Sequence, residues 1–108
     1  TVGTDEKVVA SIDKVMNGPS AGEYYTAGRY YFESGKDIEK AYAWVKKSNE
    51  MDPDKFWKVR LQSLIEAKMG ETAKAIETAK HSKALAEKAG NKDYIRLNEK
   101  SIMEWTKK

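Results

Sequence analysis

The chain has 108 residues, of which 34% are charged, with 20 basic against 17 acidic side chains and a formal net charge of +3. This length predicts one domain, residues 1–108, and charges that alternate in sign along the chain are typical of solvated helix faces, so no nucleic-acid partner is expected. The chain has no cysteine, which excludes disulfides and cysteine-based metal sites, and no apolar stretch approaches the length of a membrane span, so no membrane insertion is expected.

Apolar residues recur at helical spacing in six segments, which predicts an all-α fold. In the first segment Val8, Ile12 and Val15 share one face, and the segment ends at Gly18. Each later segment also ends at a glycine or a proline, or at the end of the chain. The predicted antiparallel helices span residues 5–17, 21–34, 38–50, 55–69, 72–88 and 92–107, with breaks near Gly18, Gly35, Pro53, Gly70 and Gly90.

Polar residues stand where four of these helices begin. Ser20, with Glu23 three residues later, has the spacing of a capping box, in which each side chain binds the backbone N–H of the other residue. Asp37 and Asp54 are candidate N-caps for the third and fourth helices, and Asn91 is one for the last. These positions predict where the helices start.

The second helix carries an aromatic residue, two small residues and a second aromatic residue along one stripe, in the pattern Tyr24-x-x-Ala27-Gly28-x-x-Tyr31. A glycine inside a helix costs about 1 kcal/mol relative to alanine. We therefore expect Gly28 to lie where the next helix, which starts after Gly35, comes closest.

This order of residues resembles a tetratricopeptide repeat, a helical hairpin with aromatic and small residues at fixed positions and a closing proline. The matching residues are Tyr24, Ala27, Gly28, Tyr31, Ala41, Val45 and Pro53. The second unit is more degenerate, since only Ala75 and Ala79 match it well. The resemblance implies two tetratricopeptide-like hairpins, flanked by an N-terminal helix and a C-terminal capping helix. The alternative is a generic antiparallel helix pair with no repeat ancestry.

Segments spread along the whole chain are similar to the C-terminal helical domain of domain-of-unknown-function family 2911. They include Thr4-Asp5-x-Lys7-Val8, Phe56-Trp57 and Ala89-Gly90-Asn91-x-Asp93-Tyr94. Members of that family are bacterial, are commonly exported, and carry a β-rich domain before such a helical tail. The resemblance implies a helical domain excised from a longer protein and an exported, periplasmic location. It implies neither a reaction nor a ligand.

The residues that could carry out chemistry are few. His81 is the one histidine, and a tight transition-metal site needs several convergent ligands, so we expect a surface side chain. The carboxylate pairs Glu71 with Glu77 and Glu99 with Glu104 have lysine neighbours and are expected to form ion pairs on helix surfaces. No phosphate-binding loop or nucleophile–base set is present. The sequence therefore predicts neither an enzyme nor a cofactor.

Aromatic residues are dense on the second predicted helix. The five between positions 24 and 32 are Tyr24, Tyr25, Tyr30, Tyr31 and Phe32. They could all belong to the core, because helix packing in a small domain uses aromatic area first. One helix face cannot bury all of them, however, so we expect two or three to reach a groove or a neighbouring domain.

These features favour a module that binds a peptide or protein on the concave face of its hairpins. The repeat alignment implies groove positions next to the packing positions, on the first helix of each unit. They are Tyr25, Arg29, Phe32, Arg60, Leu64 and Lys68. The alternative hypothesis is a structural appendage that has no external ligand and docks on a missing N-terminal domain or forms a homodimer.

Overall fold

The computed structural model describes residues 20–107, which form five α-helices joined by short turns. The helices are α1 (Ala21–Ser34), α2 (Ile38–Met51), α3 (Phe56–Lys68), α4 (Thr72–Ala89) and α5 (Lys92–Thr106). No strand occurs within residues 20–107, so the predicted all-α class is confirmed. Five helices are seen in this range instead of about six for the chain, and the predicted helix 5–17 and the break at Gly18 lie outside the described residues.

Side-chain caps start three of the helices as predicted. The Ser20 hydroxyl accepts a hydrogen bond from the Glu23 backbone N–H at 3.2 Å, and the Glu23 carboxylate accepts one from the Ser20 N–H at 2.9 Å. Asp37 caps α2 through the N–H of Lys40 at 3.1 Å. Asn91 caps α5 through an N–H three residues later at 3.0 Å. Local polar chemistry therefore sets these starts.

The predicted cap at Asp54 is wrong. Helix α3 begins one residue later than predicted, with Lys55 at the N-cap position and no side-chain cap hydrogen bond. The Lys55 carbonyl accepts the first backbone hydrogen bonds of the helix, including that of Lys58 at 3.0 Å. Asp52, which precedes Asp54, places its carboxylate 3.6 Å from Lys58 Nζ. The acid that interacts with the first turn of α3 is thus Asp52.

The predicted breaks at Gly35, Pro53, Gly70 and Gly90 are confirmed, since each lies between two helices. Gly35 and Gly90 end α1 and α4 in the left-handed region, with φ of 70° and 76°. A side chain disfavours this conformation, which explains glycine at both positions.

Gly28 lies where α1 and α2 come close together, as predicted. A Cβ atom built on Gly28 would stand 2.5 Å from Val45 Cγ2 and 3.1 Å from the Ala41 carbonyl oxygen. Ala41 and Val45 are fully buried, and they form a core cluster with Leu61 and Ile65 of α3. The missing side chain therefore allows α2 to reach the backbone of α1.

A second core cluster joins the C-terminal helices. It consists of Ala75 and Ala79 of α4 and Trp105 of α5, and Leu64 of α3 packs against it. Because α3 takes part in both clusters and contacts all four other described helices, it is the central helix of this part of the chain.

The helices do not form a flat layer. Helix α3 contacts both α1 and α5, whereas α2 and α4 do not contact each other in the described part of the chain. Helices α1, α3 and α5 therefore lie together on one side of the array, whereas α2 and α4 lie apart on the other side. We call the side formed by α1, α3 and α5 the inner face.

The aromatic residues of α1 are only partly exposed. Tyr30 is 55% exposed, and the other four are half-buried. Tyr30 is thus largely free of the core, and that two or three of the five reach a groove or a neighbouring domain stays a prediction. The sequence also did not predict which side chains are exposed at the start of α3. Trp57 is 38% exposed there, and the next residue, Lys58, is buried.

Candidate partner-binding face

Three stripes of side chains run along the inner face. Residues three, four or seven apart on a helix share one side. The stripes are Tyr25, Arg29 and Phe32 on α1, Trp57, Arg60, Leu64 and Lys68 on α3, and Tyr94, Leu97 and Ser101 on α5. All six groove residues expected from the sequence belong to the first two stripes.

The α1 stripe is linked to α3 by lysine–aromatic contacts. Lys68 Nζ stands 5.8 Å from the ring centroid of Phe32, and Lys58 Nζ stands 5.5 Å from that of Tyr25. Both distances are within the range of a cation–π interaction. The structure therefore brings Phe32 and Lys68 together, and it leaves both rings half-buried.

Arg29 is exposed and has an acidic partner on its own helix. Its Nε atom donates a hydrogen bond of 2.8 Å to the Glu33 carboxylate. This hydrogen bond raises the pKa of the Arg29 guanidinium. Exposed pairs of this kind contribute little stability, so a partner's acidic group can compete with Glu33 at small cost.

Arg60 takes part in a different arrangement, because it reaches across to α5. Its Nη1 atom donates to Asn98 Oδ1 at 3.0 Å and to Ser101 Oγ at 3.2 Å. Partial burial lowers the pKa of the Arg60 guanidinium, and the Tyr94 phenol acts in the opposite direction. No carboxylate among residues 20–107 forms an ion pair with Arg60.

A buried chain of hydrogen bonds holds the acceptors of Arg60 in place. Asn98 is fully buried, and its Nδ2 atom donates to Ser82 Oγ at 2.9 Å. Ser82, also fully buried, donates to the Phe56 carbonyl oxygen at 2.8 Å. These hydrogen bonds lead from α3 to α5, then to α4 and back to α3, so the three helices jointly position the Arg60 guanidinium.

Leu64 is half-buried, and it packs against Ala75, Ala79 and Trp105. It therefore belongs partly to the core. Trp57 and Leu97, which were not among the expected groove residues, are 38% and 42% exposed. The sequence pattern Tyr94-x-x-Leu97-Asn98-x-x-Ser101 has the same spacing as the aromatic and small-residue pattern on α1. This signal could have identified α5 from the sequence as part of the face.

Tyr25 and Tyr94 extend the face around Arg60. Burial is the main cause that raises the pKa of the Tyr25 phenol, Arg29 lowers it, and Tyr94 raises it. The Tyr94 ring packs edge-on against Phe56, with ring centroids 5.0 Å apart. Because Phe56 lies one helical turn before Arg60, this contact holds Tyr94 beside the guanidinium.

The opposite side of the array has a polar seam between α2 and α3. Asn49 Nδ2 donates to Gln62 Oε1 at 2.9 Å, and Gln62 Nε2 donates to Glu66 Oε2 at 3.1 Å. Asn49 Oδ1 and Glu66 Oε1 are buried without a hydrogen-bond partner. An open cleft of about 260 Å³ beside this seam is lined by Asn49, Pro53, Val59, Gln62, Glu77, Thr78 and His81.

His81 is exposed, as predicted. Within residues 20–107, no group of three or more histidine, cysteine or acidic side chains is arranged to hold a metal ion. In the same range no helix combines the length and the apolar composition needed to cross a membrane.

Comparison with known proteins adds no relative: no protein-family model matches the chain, and no curated protein matches it.

Proposed function

We propose that this chain is a non-catalytic binding module of tetratricopeptide type that takes a peptide or protein segment on its inner face. The observation that carries the proposal is how the Arg60 guanidinium is held and which groups it pairs with. This guanidinium is held by three helices, and it has no acidic partner among the described residues. The partly exposed Trp57 lies one turn before it on α3, and Leu97 lies one turn before its acceptor Ser101 on α5. A positioned cation next to exposed apolar surface is the chemistry of a binding site and not of a core.

The arrangement of the helices supports the tetratricopeptide interpretation. The first helix of each hairpin, together with α5, forms the inner face, and the close approach at Gly28 occupies the small-residue position of the repeat signature. With only two hairpins the face is short. We expect affinities in the micromolar range or weaker, because little area can be buried there.

A second candidate function is that of a structural appendage that docks on another domain or on a second copy. Exposed apolar side chains at the two ends of the array favour it. Tyr30 lines an open cleft of about 700 Å³ on α1, and Met103, which is 60% exposed, lines one of about 490 Å³ between α4 and α5. Sedimentation velocity separates the two candidates: a dimer that Met103→Lys dissociates favours the appendage.

The test of the binding proposal reverses charge on the inner face. A partner is first captured with the chain as bait, and its affinity is then measured for Arg29→Glu combined with Arg60→Glu. We expect at least a tenfold loss, because reversing two charges at a complementary surface replaces attraction with repulsion. Circular dichroism confirms that helical content is unchanged.

A matched control makes the same change of charge elsewhere. Lys74→Glu combined with Arg96→Glu alters two exposed side chains, and Arg96 points away from Asn98 and Ser101 on α5. The control should retain binding. Equal binding by both double variants would place the contact surface outside the inner face and would contradict the proposal.

A further inference from the structure

Helix α1 has one side that no helix among residues 20–107 covers. Gly28 faces α2, Arg29 lies on the inner face, and in this part of the chain α1 contacts only α2 and α3. The uncovered side carries the open cleft of about 700 Å³, which we call the α1 groove. It is lined by Ser20, Gly22, Glu23, Thr26, Ala27 and Tyr30.

The α1 groove has the composition of a surface that packs against another helix. Thr26 and Ala27 are small, and Tyr30, at 55%, is the most exposed aromatic side chain of residues 20–107. The Tyr30 hydroxyl accepts a hydrogen bond from Lys36 Nζ at 3.2 Å, so the ring can be covered while its polar group stays bonded. Covering the ring with an apolar side chain is favourable, because it removes apolar area from water.

The connectivity of the chain points to one occupant for the α1 groove. The sequence predicts a helix over residues 5–17, which lie outside the described residues, with Val8, Ile12 and Val15 on one apolar face. Only positions 18–20 separate this segment from α1, and so short a connection is typical of antiparallel neighbours. The segment has 13 residues and α1 has 14, so two helices of these lengths match along their whole extent.

The two helices also match in register. An antiparallel pair that turns at Pro19 places residues at equal distances from it opposite each other. Ile12 and Thr26 each lie seven positions from Pro19, and Val8 and Tyr30 each lie eleven positions from it. A larger side chain therefore meets a smaller one at both levels, first isoleucine against threonine and then tyrosine against valine. This alternation allows facing side chains to interdigitate.

We propose that the α1 groove is an intramolecular docking site and that its occupant is the chain's own segment 5–17, with Ile12 against Thr26 and Val8 against Tyr30. The inference goes beyond the proposed function and does not depend on it, because the inner face lies on another side of α1. A docked segment closes the α1 groove to other partners. The exposed apolar end that remains for a second copy is then the one at Met103.

Disulfide trapping tests the proposal, because the chain has no cysteine and an engineered pair carries its only two thiols. A disulfide needs two Cβ atoms within about 3.5–4.5 Å of each other. Ile12→Cys combined with Thr26→Cys places the pair at the proposed contact. In a glutathione buffer we expect this pair to form an intramolecular disulfide at least tenfold faster than a control pair.

The control pair keeps Thr26→Cys and moves the other thiol to Ala10→Cys. Positions 10 and 12 are about 200° apart around a helix, so Ala10 lies on the far side of the predicted helix. A segment that does not dock closes both disulfides at similar rates, because the two loops have nearly equal lengths. Equal rates in native buffer therefore overturn the proposal. Disulfides between chains also overturn it, since they place a second copy in the α1 groove.

Amide hydrogen exchange gives an independent measurement that needs no cysteine. Ile12→Asp places a charge in the proposed contact, and we expect exchange in α1 to accelerate at least tenfold while α4 and α5 keep the rates of the parent chain. Ala10→Asp, on the far side, should leave exchange in α1 unchanged. The proposal is overturned if α1 exchanges at the parent rate in Ile12→Asp, or if Ala10→Asp accelerates it equally.

Discussion

Gly28→Leu is expected to lower the free energy of unfolding by about 2 kcal/mol or more, because overpacking a close helix contact costs about 1–3 kcal/mol and occasionally more. A Cβ atom at this position would already stand 2.5 Å from Val45 Cγ2 and 3.1 Å from the Val45 backbone nitrogen. The side chain of Val45 can rotate, but its backbone can retreat only if α2 moves away. Urea denaturation of the parent and the variant measures the loss.

A matched substitution on the same helix serves as the control. Gly22 lies near the start of α1, where the nearest atom to an added Cβ among residues 20–107 is Ser20 Oγ at 3.9 Å. Gly22→Leu should therefore be neutral or stabilising, since leucine has the higher helix propensity by up to about 1 kcal/mol. If Gly28→Leu does not fold, Gly28→Ala should fold with a smaller loss. Coincident urea curves for the parent and Gly28→Leu would contradict the packing of α1 on α2.

Asn98→Leu is expected to destabilise the domain by about 2–3 kcal/mol. The substitution keeps the branched shape and the number of side-chain heavy atoms but removes the acceptor of Arg60 and the donor to Ser82, and hydrogen bonds to charged groups contribute about 1.5–3 kcal/mol. Arg60 retains Ser101 and its access to water, which limits the loss. Chemical denaturation gives the change in stability, and the ¹⁵N heteronuclear NOE of the Arg60 Nε–H should fall as the guanidinium regains motion.

A double-mutant cycle tests whether Asn98 and Ser82 act as one unit. Ser82→Ala alone removes the hydroxyl between Asn98 and the Phe56 carbonyl. If the hydrogen bonds that link Arg60, Asn98, Ser82 and the Phe56 carbonyl act as one unit, the losses are not additive. The double variant Asn98→Leu/Ser82→Ala should then lose at least about 0.5 kcal/mol less stability than the sum of the two single losses. Strict additivity would show that Ser82 does not help to position Asn98.

The ends of the helices could be predicted because their causes are local. Ser20 and Asp37 bind N–H groups three residues away, and Gly35 and Gly90 adopt a backbone conformation that other residues rarely take. Each of these helix starts and ends can be inferred from a few neighbouring residues. The exception is Asp54, because α3 begins without a side-chain cap and the neighbouring Asp52 pairs with Lys58 in its first turn.

The arrangement around Arg60 could not be predicted, because its partners are distant in sequence. Arg60 and Asn98 are separated by 38 positions, and Asn98 and Ser82 by 16. An asparagine and a serine on helices are expected to be solvent-exposed unless they find buried partners. The repeat pattern placed Arg60 on the face, but it contained no information about which group would hold the guanidinium.

The start of α3 shows a second limit. An apolar pattern places Trp57 in the core and Lys58 in solvent, yet the tryptophan is 38% and the lysine 7% exposed. Lys58 is buried because Asp52 pairs with it at 3.6 Å and the Tyr25 ring covers its ammonium group at 5.5 Å. Lysine can bury its methylene stem when its charge is paired, and composition does not show this in advance.

The most direct test of the inner face as the binding surface is amide hydrogen exchange on the complex with a captured partner. Contact on the inner face should slow exchange in α1, α3 and α5 while α2 and α4 keep the rates of the free chain. These two sets of helices alternate along the sequence, so the expected pattern is three protected segments separated by two unprotected ones. Protection confined to α2 and α4, or to the Met103 end of α5, would contradict the account.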